Sequence, residues 1–117
     1  PPRSTLFPYT TLFRSKKISN EDRMDIAEVR KRIDLLDDVL LRILNERARL
    51  ALEIGNLKKG LGMPVYDPNR EKMIFERMKQ DNPGPLDDGA IVRLFERVVD
   101  ESRRLERIMS QEEGVKL

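Results

Sequence analysis

The chain has 117 residues, enough for one small domain, and 38% apolar against 38% charged residues, with 5% aromatics and no Trp, argue against a large sandwich or barrel core. The absence of Cys and His excludes disulfides, thiolate metal sites, Cys nucleophiles and His-dependent triads, leaving carboxylates, Lys, Arg, hydroxyls and backbone for any chemistry. The net charge of +2 comes from the first 17 residues, which hold four of the 23 basic side chains (Arg3, Arg14, Lys16, Lys17) and no acid; the 19 left face 21 acidic ones, a balance that argues weakly against nucleic acid as the main partner.

Residues 1–21 combine Pro1, Pro2 and Pro8 with Thr, Ser and aromatics and show no helical period, so this head is expected to be disordered. The stretch Thr5-Leu-Phe-Pro-Tyr-Thr-Thr-Leu-Phe-Arg-Ser15 resembles the translation of a sequencing-adapter oligonucleotide, so the head reads as non-native, with the natural chain beginning near Lys16 or Met24; a natural flexible arm is the alternative. No run is long and apolar enough to span a membrane, and the head lacks the apolar stretch of a signal peptide. A cytoplasmic location is expected on that ground alone.

The expected domain covers residues 22–110. Ile26, Val29, Ile33, Leu36, Leu40, Ile43, Leu50, Ile54, Leu57 and Leu61 recur in steps of three and four, apart from one gap, and predict one helix over 22–60. At ~1.5 Å per residue it spans nearly 60 Å, too long for so short a chain to cover, which calls for a partner helix, most simply from a second copy. Gly60-Leu-Gly62-Met-Pro64 ends it. Asp67-Pro68 opens a second helix, running to about Gln80 with Ile74 and Met78 inward. Asn82-Pro83-Gly84-Pro85 breaks it, and Asp87 caps a third helix running to about Ser110. Val92, Phe95, Val99 and Met109 form the inner stripe of that helix, and residues 111–117 read as a frayed tail. The fold class is therefore all-α.

Polar residues interrupt these apolar faces. The gap in the first stripe falls on Arg47, where an unpaired cation would be costly. A register-setting or snorkelling Arg is as good a reading from spacing alone. Lys58 follows eleven residues later, close to three turns, and shares the face about 16 Å along the axis, so a dianion could lie between them. Arg30 is seventeen residues before Arg47, roughly 25 Å away and about 100° round the helix, so it can enter such a site only from an antiparallel partner; an ordinary solvated charge is its simpler reading. Ser102 and Glu106 are i,i+4 neighbours continuing the inner stripe of the third helix, and an inward Glu needs a partner, a raised pKa or a ligand. In the second helix Arg70 and Glu71 follow the Asp67 cap, and Arg70 opposes the helix dipole. Together these suggest a pocket for a small polyanion, with no cofactor and no metal cluster.

Val29-Arg-Lys-Arg-Ile-Asp-Leu-Leu-Asp37, Asn45-Glu-Arg-Ala-Arg-Leu-Ala51, Lys58, Pro64-Val-Tyr-Asp-Pro-Asn-Arg-Glu71 and Leu94-Phe95 through Glu101-Ser-Arg-Arg-Leu-Glu106 resemble three segments of the all-α (type II) chorismate mutases. The match covers residues 24–110. The resemblance implies an intertwined homodimer that rearranges chorismate, a small dianion, to prephenate in aromatic amino-acid biosynthesis. It implies Lys58, Glu106 and Arg47 as the catalytic set. Arg47 and Lys58 would bind substrate carboxylate, Lys58 would reach the ether oxygen, and Arg30 would enter from the other subunit. Asp67, Arg70 and Glu71 would shape the pocket, with Glu71 at the ring hydroxyl; Ser102 would contact a carboxylate, and Glu106 falls where the family faces the ether oxygen with Gln or Glu. Two other readings stay open: an isochorismate–pyruvate lyase of the same fold, and a non-catalytic helical regulatory or dimerisation module.

Overall fold

A computed structural model describes residues 25–115. The expectations for residues 1–21 and for a helix start before Asp25 lie outside the described residues. Within them the chain forms three helices and no strand: α1 Ile26–Gly60, α2 Pro68–Asp81 and α3 Asp88–Val115.

Each boundary has a local cause. Asp25 caps α1 by accepting from the Glu28 amide at 2.9 Å, satisfying one of the free donors of the first turn. α1 ends in a Schellman arrangement, in which the Met63 amide donates to Lys58 O at 2.8 Å and the Gly62 amide to Lys59 O at 3.2 Å. Gly62 sits at φ +69°, a backbone setting that a Cβ would strain. Lys58 and Lys59 lie in the last turn, where the helix dipole favours cations. Asp67 caps α2 by accepting from the Arg70 amide at 3.0 Å, and Pro68 opens the helix without losing a needed N–H. The α2–α3 corner is built round buried Asn82, whose amide donates to Leu86 O at 2.7 Å and to Asp88 Oδ1 at 2.9 Å, while its Oδ1 accepts from the Gly84 amide. Asp87 then accepts from the Ala90 amide at 3.2 Å at the head of α3. α3 runs on to Val115, five residues beyond the end read at Ser110; those residues contain no Pro and nothing else that forbids a helix before Gly114.

α3 packs against both α1 and α2, which do not pack directly on one another. Where the three meet, Ile74 of α2 and Val99 of α3 are the buried apolar residues, at 5% and 6% exposure. Met109, read as inward, is instead 39% exposed. The α1 stripe is present but uncovered along its whole length: Ile26, Val29, Ile33, Leu36, Leu40, Ile43, Leu50, Ile54, Leu57 and Leu61 are all exposed. An α1 of 35 residues is ~52 Å long. The half-buried residues of α1 are Arg47, Ala48, Ala51, Leu52, Gly55 and Lys58, so only its C-terminal half faces the rest of the chain and the N-terminal half is bare.

Candidate functional site

The three helices surround one open cavity of about 270 Å³. α1 contributes Arg47, Leu50, Ala51, Ile54 and Lys58 to its wall. The connection and α2 contribute Val65, Asp67, Arg70, Glu71 and Ile74; α3 contributes Val99, Ser102, Arg103 and Glu106. Seven of the eight residues singled out from the sequence therefore meet in one place. The eighth, Arg30, does not line it. It lies exposed on the bare half of α1, seventeen positions before Arg47.

The polar groups are fixed by neighbours from other elements. Arg47 Nη1 donates to Ser102 Oγ at 3.2 Å, bridging α1 and α3. Ser102 is 8% exposed, and its hydroxyl in turn donates to Val98 O at 3.1 Å. Lys58 Nζ donates to Val65 O at 3.4 Å and so ties the end of α1 to the connection. Burial holds the Arg47 guanidinium below its usual pKa, and the charges of Arg70 and Arg77 push the same way. Three cations thus bear on one another across α1 and α2, an arrangement that a bound anion would relieve.

Glu106 shows the opposite strain. Partial burial raises its pKa above the usual carboxyl value, and this outweighs the opposing pull of Lys58 and Arg103. Its side chain lies against α1 at Gly55, where a Cβ would stand 3.3 Å from both Cγ and Cδ and 3.4 Å from Oε2. Gly55 is thus the α1 position that Glu106 leans on.

Sequence reasoning passed over Arg103, Arg77 and Gly55. Arg103 looks like one of two ordinary exposed bases, Arg103-Arg104. Its place beside inward Ser102 was the available signal. In the structure its Nε lies 3.1 Å from Glu71 Oε2, and its guanidinium stands over the Tyr66 ring at 5.0 Å from the centroid. The contact to Glu71 is an ion pair and not an aligned hydrogen bond, since no acceptor lies in line with the Nε hydrogen. By contrast, Arg49 pairs with Glu46 and Glu53 on the exposed face of α1, away from the cavity.

Among the described residues, no helix is long and apolar enough to cross a membrane. The family model for chorismate mutase type II matches residues 29–107. A chorismate mutase of Methanocaldococcus jannaschii is 33% identical over 86 residues, which cover 70% of this chain and 84% of that one. A bifunctional chorismate mutase/prephenate dehydratase of Neisseria gonorrhoeae is 46% identical over 78 residues, or 67% of this chain and 21% of that protein. The corresponding bifunctional protein of Aquifex aeolicus is 36% identical over 87 residues, covering 71% and 24%. The chain therefore spans about a quarter of the length of these bifunctional relatives. A solved structure of chorismate mutase from Thermus thermophilus is 41% identical and superposes with a TM-score of 0.69, covering 70% of this chain and 93% of that one.

Proposed function

The chain belongs to the type II chorismate mutase family, and from that premise we propose that it is an isomerase converting chorismate to prephenate in its three-helix cavity. The observation that carries this reading is the convergence of Arg47, Lys58 and Arg70 with Ser102, Glu71 and half-buried Glu106 in one cavity whose remaining lining is largely apolar. The reaction suits such a chain. One ether C–O bond breaks as one C–C bond forms within the same molecule, so no atom leaves and no nucleophile or redox partner is required. The missing His and Cys are no obstacle.

Two tasks remain for the protein. The first is to hold a flexible dicarboxylate in the compact conformer in which the bonding carbons meet. Arg47, already oriented by Ser102, takes one carboxylate, with the Ser102 hydroxyl beside it. Glu71 accepts from the ring hydroxyl. Asp67 fixes the start of α2 through its cap, and with Arg70 shapes the wall. The second task is to stabilise negative charge growing on the ether oxygen as the C–O bond lengthens. Lys58 supplies a cation there. Glu106 can help only as the neutral acid, because a carboxylate accepts hydrogen bonds and repels the oxygen. Burial favours that neutral form.

The functional unit in this proposal is a homodimer in which each α1 lies along its counterpart. Two things support it. Burying a Val, Leu or Ile side chain is worth ~1.5–3 kcal/mol, and the bare half of α1 offers six such residues in its stripe. Arg30 sits on that same half, where an antiparallel neighbour would carry it into the other cavity. The test is direct. Purified protein is assayed for loss of chorismate and gain of prephenate, with isochorismate as the parallel substrate. Prephenate formation is expected; release of pyruvate from isochorismate without prephenate from chorismate would assign the site to the lyase reaction.

A further inference from the structure

α1 and α2 form opposite walls of the cavity yet do not pack on each other. Something else must set the gap between them. On the α1 side, Lys58 reaches Val65 O. On the α3 side, one residue does the corresponding work. Arg103 pairs with Asp100 one turn back on its own helix, with Glu71 on α2, and with the face of Tyr66 in the connection. We infer that Arg103 is a positioning residue of the site, which aims Glu71 into the cavity and ties the Val65–Glu71 segment to α3.

Glu71 is the residue that needs a fixed direction. Its side chain is 16% exposed, too enclosed for an unpaired carboxylate to be comfortable. Its place in the first turn of α2 gives it a favourable helix dipole, which favours the charge but does not set the direction of the side chain. Arg103 sets that direction. The Nε lies 3.1 Å from Oε2 and pairs with it. Asp100 anchors the guanidinium from the α3 side, so the fork is held before any ligand arrives. The guanidinium carbon stands 5.0 Å from the ring centroid of Tyr66, the residue just before the Asp67 cap, within cation–π range, and a planar fork can make this contact and pair with two carboxylates at once where a point-charge ammonium is less suited. One planar group thus connects α3, the connection and α2. Arg103 itself belongs to the cavity wall, and in this inference it acts on the substrate through Glu71 and the shape of that wall.

This inference rests on the mutase reading for its kinetic consequences but not for its structural one. The experiment therefore has two arms. In the first, Arg103→Met and Arg103→Lys are made in the wild-type and Glu71→Gln backgrounds. Misplacing a substrate-orienting group by about 1 Å can cost on the order of a hundredfold, so Arg103→Met is expected to lower kcat/KM ten- to a hundredfold. Arg103→Lys should recover only part of this, because it keeps the charge and loses the plane. In the Glu71→Gln background the ion pair is already gone, and Arg103→Met should then cost less than about threefold further. An equal loss in both backgrounds would mean that Arg103 meets the substrate itself, and would overturn the inference. In the second arm, hydrogen exchange is followed in the same proteins without substrate. Faster exchange confined to residues 64–71 in Arg103→Met supports the tie. Unchanged exchange there refutes it, whatever the activity. A wild type that makes no prephenate but loses protection at 64–71 on mutation would sink the mutase reading and leave the tie standing.

Discussion

Replacing Gly55 with alanine should make the protein more stable and slower. A mid-helix glycine is less favourable than alanine by roughly 0.8–1.0 kcal/mol, and Gly55 lies inside α1 with no unusual backbone setting to require it. The substitution alone should raise stability by most of that amount, or about 4 °C in the thermal midpoint for a domain of this size. The new methyl would stand 3.3 Å from Glu106 Cγ and Cδ, inside the ~3.5–4.0 Å of a relaxed carbon contact. The flexible carboxyl end can retreat by a few tenths of an ångström, so the fold accepts the change. The reacting geometry does not accept it equally. If a 1 Å error costs about a hundredfold, a few tenths should cost roughly three- to tenfold in kcat, with KM for chorismate little changed. Differential scanning calorimetry and initial-rate kinetics on the same preparation give both signs. The reasoning is refuted if Gly55→Ala keeps full kcat, or if it slows the enzyme equally when Glu106 is alanine, since the methyl can act only through that side chain.

Other outcomes follow from the same geometry. Glu106 has a raised pKa, so it is a neutral donor below that value and a repelling carboxylate above it; kcat should rise toward acid in the wild type and stay flat across that range in Glu106→Gln, as a pH–rate profile of each will read. The same sign applies to stability: the folded state holds this proton more tightly than the unfolded chain, so the contribution of Glu106 is lost as pH rises through its folded pKa, and Glu106→Gln should remove that slope from urea melts. Arg47→Met should lower kcat/KM by on the order of 10²–10³ while leaving the free protein as stable or more so, because the unliganded fold already disfavours the Arg47 charge through burial and through Arg70 and Arg77. Arg30→Ala and Arg47→Ala should each be inactive alone, yet regain about a quarter of wild-type activity when refolded together, since half the dimers would be mixed and each would hold one intact site; no recovery would mean that Arg30 works in its own chain or not at all.

The sequence was most legible where geometry is local. The 3–4 spacing of Ile26 through Leu61 marked α1, Asp67-Pro68 marked the start of α2, and Asn82-Pro83-Gly84-Pro85 marked the corner, because caps and breaks act within a few residues. The inward polar residues were legible as exceptions: Arg47 in an apolar stripe, and Ser102 and Glu106 continuing another, all line the cavity. Arg103 was not, because its partners Tyr66 and Glu71 belong to other elements and its own helix offers only its place beside inward Ser102. Gly55 was not legible either, since its contact is to a side chain about fifty positions away. The long exposed stripe was legible as a demand for a partner, and the three helices of one chain leave that demand unmet.

The central claim is that this cavity converts chorismate to prephenate with its own Arg, Lys and carboxyl groups. The most direct test is the rate of prephenate formation by the purified chain at acid and neutral pH, with Arg47→Met as the paired control. The account predicts turnover in the wild type, faster toward acid, and a loss of on the order of 10²–10³ in the variant. Chorismate left unchanged by a folded wild type, or consumed as fast by Arg47→Met, would contradict it.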